Sequence, residues 1–319
     1  VLSALAMSLA AGATDLIMVY LSIEFISLTS YVLVGFLRDN TRSNEAALKY
    51  FLYGATASAV MLYGMSLLYG ITGTTNLAAI ASYLSRGQAD AVQLWLVIPA
   101  LIMLLVGFGF KIALVPFHQW SPDTYEGAPT PVTAFLSVGP KAIGFAVLIR
   151  VFVTALSTFM SDWTAILAGI SMMTMTLGNL IALKQTNIKR LLAYSSIAQA
   201  GYILIGFVSI STGTQSSFDG VNGVLIYLFA YLFTNLGAFM VVIAFEQATG
   251  STEIADYAGL IRRSPGLAAV LFICLLSLIG IPATGGFIGK FFVFASAIQL
   301  QFYVLAVVGI VNSVIAAFY

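Results

Sequence analysis

Glu24, Lys111, Lys141 and Lys290 stand well inside apolar runs, while nearly every other charged residue falls in a polar connection or at the end of a run. An ionisable group in mid-bilayer costs at least ~2.5 to 3.5 kcal/mol on insertion scales, so each of the four needs a partner or a water-filled cavity. Burial disfavours an ammonium group, and a neighbouring carboxylate favours it. Opposed pulls of this kind make a group whose proton can be loaded and released, and Glu24 and Lys111 are the expected pair. The chemistry expected of the set is a proton relay, running from Lys111 through Lys141 to Lys290 in segment order. The alternative is buried ion pairs or polar glue between helices, but three lysines facing one intramembrane acid argue against simple pairing.

Other residue types are less decisive. His118 follows an interruption after Lys111, with Trp120, Asp123, Tyr125 and Glu126 close behind. It is either a proton inlet linking the relay to cytoplasmic water or a structural residue of the interruption, and the sequence leaves both open. Arg150 and Glu246 lie near segment ends and read as interfacial. Cys274, within LFICLLSL, reads as a small packing residue. The string GGFIGK at 285–290 resembles a phosphate-binding loop, but Thr284 holds the first glycine position and no Ser or Thr follows Lys290.

The elements that position these residues follow from composition. Of 319 residues, 60% are hydrophobic and 8% charged, with mean hydropathy +1.01, against roughly 25% charged in a soluble domain. Apolar runs recur at 1–12, 14–37, 46–70, 92–116, 129–155, 163–183, 189–211, 220–246, 265–297 and 302–319. Most are long enough for a transmembrane helix, and in lipid only helices and closed barrels satisfy the backbone. The expected fold is therefore an all-α polytopic membrane protein of about ten transmembrane helices. A net charge of +1 offers no basic patch for nucleic acid; the lipid bilayer is the expected surrounding. One cysteine and one histidine leave no internal disulfide, no cysteine-held iron–sulfur site and no bis-histidine haem. The chain starts without methionine and stops within an apolar run, as expected of a fragment with both ends cut.

Positive charge tests the segmentation. Connections after the second, sixth and eighth segments hold Arg38, Arg42, Lys49, Lys184, Lys189, Arg190, Arg262 and Arg263, whereas odd-numbered connections offer Arg86 and Arg150. The rich side is assigned as cytoplasmic; the connection after the fourth segment shares that side without a Lys or Arg. The fourth segment breaks at Lys111 to Pro116, and the ninth across Pro282 to Gly286. Each is the fourth of five, so the spacing predicts two inverted five-helix repeats, 1–158 and 159–319, each with a broken fourth helix. Paired broken helices point to a transporter and its ion site.

The strings SNEAALKYFLYGA (43–55), GFKIALVPFHQWSPDTYEGAPTPVTAFLS (109–137), KRLLAYSSIAQAGY (189–202) and GFIGKFFVF (286–294) resemble the subunit N family of proton-pumping NADH-quinone oxidoreductase, respiratory complex I. YEGAPTP separates that family from the related subunits L and M and from cation/proton antiporter subunits. The resemblance implies a fourteen-helix protein, of which this chain holds the two central repeats. It matches the family's relay acid and lysines to Glu24, Lys111, Lys141 and Lys290. It also implies a proton-translocating role, with other membrane-arm subunits as partners and with NADH, flavin, iron–sulfur clusters and quinone handled by partner subunits. No cofactor is expected on this chain, and the expected location is a bacterial plasma membrane. The other readings are a stand-alone or Mrp-type cation/proton antiporter subunit and a purely structural scaffold. Two positions depart from the family pattern: Pro282-Ala283 replaces Pro-Pro, and Pro140 directly precedes Lys141, where a kink is expected.

Overall fold

The computed structural model describes residues 1–86, 91–210 and 218–319, and of residues 91–93 the backbone alone. Residue 211, the expected end of the seventh segment, lies outside them. The described residues form helices: α1 (Leu2–Gly12), α2 (Leu16–Val34), α3 (Thr41–Thr72), α4 (Leu77–Ser85), α5 (Ala91–Ile112), α6 (Trp120–Gly127) and α7 (Thr130–Ala155). They continue with α8 (Met160–Ala182), α9 (Ile188–Val208), α10 (Gly220–Thr249), α11 (Leu260–Arg263), α12 (Pro265–Ile279), α13 (Gly285–Gln299) and α14 (Tyr303–Ala316). Among the described residues, seven spans of 19 to 32 residues, carried by α2, α3, α5, α7, α8, α9 and α10, are long and apolar enough to cross a bilayer. The broken segments resolve into α5 with α6 and α12 with α13.

Hydropathy located the spans better than their ends. The third run was expected from residue 46, but α3 begins at Thr41, where the Asn40 side chain accepts from the backbone N–H of Arg42 and Ser43. Polar first turns outside the hydrocarbon carry no apolar signal. For the same reason Lys49, Lys189 and Arg190, assigned to connections, lie within α3 and α9.

Sorting of side chains is that of a bilayer protein. Ile17, Leu21, Leu28 and Val32 are exposed along α2, as are Leu225, Phe229, Phe233 and Met240 along α10. Such apolar stripes suit a hydrocarbon surrounding rather than water. The centre is α9, where every residue but Arg190 is buried, packed against α8, α10, α13 and α6.

Two backbone clasps of the same form join helix starts. Leu16 N–H donates to Thr75 O at 2.9 Å and Leu77 N–H to Thr14 O at 3.0 Å. In the other half Ile188 N–H donates to Thr252 O at 2.9 Å and Ile254 N–H to Thr186 O at 2.8 Å. The strings behind them match, TGTTNLA at 72–78 and TGSTEIA at 249–255. In each, a glycine (Gly73, φ 66°; Gly250, φ 73°) ends the preceding helix in the left-handed region.

Each break leaves backbone groups that lipid cannot satisfy, and the chain supplies partners. At the first, Trp120 Nε1 donates to Phe110 O at 2.9 Å and Val115 N–H to Thr174 Oγ1 at 3.1 Å. At the second, Gly286 N–H donates to Ser277 Oγ at 3.0 Å. Alanines with φ of 61° (Ala113) and 72° (Ala283) bend the two breaks through a region that disfavours a Cβ. Closure of the second break depends on Gly286, where an added Cβ would lie 1.8 Å from Ser277 O. Gly286→Ala is therefore expected to push α13 off α12 at a cost of about 1 to 3 kcal/mol or more, read as a lower Tm or loss of the assembled protein.

Candidate functional site

Lys111 lies in the last turn of α5, Lys141 midway along α7 and Lys290 in the second turn of α13. All three are buried, at 2%, 3% and 3% exposure. The location of Lys111 and Lys290 follows from the breaks, which end one helix beside each lysine. Pro140 lies inside α7, which runs without interruption from Thr130 to Ala155, and the Lys141 side chain is buried.

Each ammonium has a defined set of partners. Lys111 Nζ donates to Ser27 Oγ at 2.9 Å. Lys141 Nζ donates to Ser196 Oγ at 2.5 Å and Ser196 O at 3.1 Å. Ser196 Oγ is in turn 2.7 Å from Tyr231 Oη. Lys290 Nζ donates to Ile279 O at 2.8 Å and Ser313 Oγ at 3.1 Å, and stands 4.2 Å from the centre of the Tyr202 ring. These partners are hydroxyls, two backbone carbonyls and an aromatic face, with no carboxylate among them.

The expected Glu24–Lys111 ion pair is absent among the described residues. Glu24 is half-buried rather than buried and accepts a hydrogen bond from Ser58 Oγ. Lys111 instead takes Ser27, one helical turn along α2 from Glu24. The serine at i+3 on the same helix face intercepts the ammonium, so acid and lysine are neighbours through one hydroxyl-bearing turn rather than in contact.

His118 is half-buried in the connection between α5 and α6; among the described residues the buried Thr124 Oγ1 on α6 has no hydrogen-bond partner. Arg150 is exposed near the end of α7. Glu246 accepts from Thr130 Oγ1 at the start of α7. Cys274 is buried, and its Sγ occupies the space beside Gly237. GGFIGK lies in the break and the first turns of α13, not in a loop around a phosphate.

Sequence reasoning missed a cluster on the positively charged face. Asp123 Oδ2 accepts from Lys49 Nζ at 2.8 Å and Oδ1 from Arg190 Nη1 at 2.7 Å, while Arg190 also meets Glu126 Oε2 at 2.9 Å. With Arg42 and Glu45 these residues line a polar cavity of about 270 Å3. Partial burial pulls the Asp123 carboxyl up, but Lys49 and Arg190 outweigh it and hold it below the usual carboxylate range. A depressed carboxyl stabilises the fold above its unfolded pKa near ~3.9. That contribution disappears as pH falls through the still lower folded value. Asp123→Asn is accordingly expected to lower Tm at pH 7, with the difference from wild type vanishing at strongly acidic pH. Lys189, also unflagged, is 4% exposed and donates to Ala128 O at 2.7 Å, capping α6. Its position next to a loop made it look like a surface charge. The signal for Ser196 and Gln199 was in the sequence, as polar residues three apart in an otherwise apolar run.

The family described as NADH:quinone oxidoreductase/Mrp antiporter, TM, matches residues 13–316. NADH-quinone oxidoreductase subunit N 2 of Symbiobacterium thermophilum is 50% identical over 322 residues, covering 99% of this chain and 63% of the relative. NAD(P)H-quinone oxidoreductase subunit 2 of a Synechococcus species is 50% identical over 310 residues, covering 97% and 57%. The chain thus spans about three-fifths of the curated relatives it matches. Among solved structures, respiratory complex I from Thermus thermophilus with bound aureothin aligns with TM-score 0.82 at 36% identity, covering 100% of this chain and 67% of that one. The Mrp complex from Dietzia sp. DQ12-45-1b aligns with TM-score 0.88 at 25% identity, covering 99% and 57%.

Proposed function

The chain belongs to the NADH:quinone oxidoreductase/Mrp antiporter transmembrane family, and we propose that it is a proton-translocating membrane-arm subunit of an NADH-quinone oxidoreductase. It moves protons through Glu24, Lys111, Lys141 and Lys290, driven by quinone reduction in partner subunits. The observation that carries this reading is three lysines held in the core of a membrane protein with no carboxylate in contact among the described residues. Such groups sit where loss of the charge relieves desolvation, and their serine and tyrosine partners both accept and donate protons.

In this reading the chain comprises two inverted repeats, 1–158 and 159–319. The paired clasps support it: one joins the connections after the first and third segments, the other those after the sixth and eighth, which lie on opposite faces. His118, half-buried beside the first break, serves as the proton inlet. Flavin, iron–sulfur clusters, NADH and quinone belong to partner subunits, and the location is the bacterial plasma membrane. Relatives at 50% identity bear NADH- or NAD(P)H-quinone oxidoreductase names, whereas the Mrp complex is at 25%; this favours the redox-driven role over a cation/proton antiporter.

The test is purification of the native assembly. Redox subunits should co-isolate, and NADH with a quinone should drive proton uptake into vesicles holding the assembly. Isolation without redox partners, together with sodium- or potassium-dependent proton exchange by the chain in liposomes, would establish the antiporter reading instead.

A further inference from the structure

Between the Lys141 and Lys290 sites lies one side chain that hydrogen bonds at both ends yet cannot pass a proton on. Ser196, Gln199 and Tyr202 recur at three-residue spacing on α9, along one face of the helix. Ser196 serves Lys141 and Tyr202 underlies Lys290. Gln199 stands between them, 2% exposed. Its Nε2 donates to Leu278 O at 2.9 Å, and its Oε1 accepts from Tyr227 Oη. A hydroxyl can accept one proton and release another; an amide NH2 only donates and an amide oxygen only accepts. On the α9 face between the two lysine sites, Gln199 therefore interposes a hydrogen-bonded group that is closed to proton transfer.

The amide is also tied to the break. Leu278 O and Ile279 O are the last carbonyls of α12, left without helical partners where the chain turns at Gly280 (φ 88°). Gln199 takes the first of them and Lys290 the second. Both acceptors belong to the last residues of α12, so a displacement of that helix end moves the Lys290 and Gln199 hydrogen bonds together.

We propose that Gln199 is a positioning residue that insulates the Lys141 and Lys290 proton sites from each other, opening only when its amide leaves the Leu278 carbonyl. This rests on the relay reading above. The test uses the assembled complex in vesicles and follows decay of a proton gradient imposed by a pH jump, which variants that do not pump also allow. Gln199→Glu keeps size and shape but supplies a group that both takes and gives a proton. Decay should accelerate by roughly tenfold, and adding Lys290→Ala should restore the slow wild-type decay, which a mere packing defect would not permit. Gln199→Leu, which carries no proton, should decay as slowly as wild type. Decay in Gln199→Glu no faster than wild type overturns the proposal, as does equal leakiness in Gln199→Leu. Should Gln199→Glu not assemble, Gln199→His carries the same two outcomes. Failure of the relay reading would show separately, as normal pumping in the single Lys290→Ala variant.

Discussion

Lys111→Ala is expected to lower proton pumping by the assembled complex by roughly tenfold or more, the scale on which a positioned proton donor or acceptor acts. The assembly itself should survive. Ser27 Oγ, the partner that Lys111 loses, also donates to Ile23 O at 2.8 Å, so its removal strands no buried hydroxyl. The gap opens beside Gly144, where α7 already packs close. Proton uptake per quinone reduced, measured in vesicles alongside subunit content, separates this outcome from misassembly. Glu24→Gln should act in the same direction with smaller effect, because the half-buried carboxylate holds Ser58 rather than the ammonium.

The second large effect is expected at Lys290, where charge and proton exchange can be pulled apart. Lys290→Ala removes the donor to Ile279 O and leaves that carbonyl orphaned at the break, at a cost of about 1 to 3 kcal/mol. Both transport and Tm should fall. Lys290→Arg keeps a donor and a positive charge, but a guanidinium does not release its proton in a protein. Where this variant assembles, Tm should stay nearer wild type while pumping is lost as fully as in the Ala variant. Pumping retained with Arg would mean that fixed charge, rather than proton transfer, is what the position supplies.

How much of this was legible in the sequence depends on the kind of interaction. Span positions and the two breaks were readable because lipid imposes a coarse rule, long apolar runs with Gly and Pro at the interruptions. Lys111, Lys141 and Lys290 were readable because charge in such a run is rare. The partner of Lys111 was not: Glu24 and Ser27 share a face of α2, and which one meets the ammonium is decided by less than a helical turn of relative placement. Lys189 and the Asp123 cluster were hidden by their sequence neighbours, since a charged residue near a loop looks solvated until the fold stacks α3, α6 and α9 around it. Gln199 lies within the string KRLLAYSSIAQAGY yet carries no charge to mark it. Its significance comes from Leu278, nearly eighty positions away. The clasp strings, short and only partly identical, became recognisable once their backbone hydrogen bonds could be compared.

The decisive measurement is solid-state nitrogen NMR of lysine side chains in the assembled protein, at rest and under steady turnover, with Lys111→Arg and Lys290→Arg used to assign the signals. A switched relay requires at least one buried Nζ to change between ammonium and amine when turnover begins. Signals of Lys111, Lys141 and Lys290 that remain fixed in one protonation state, while the same sample pumps protons, would contradict it.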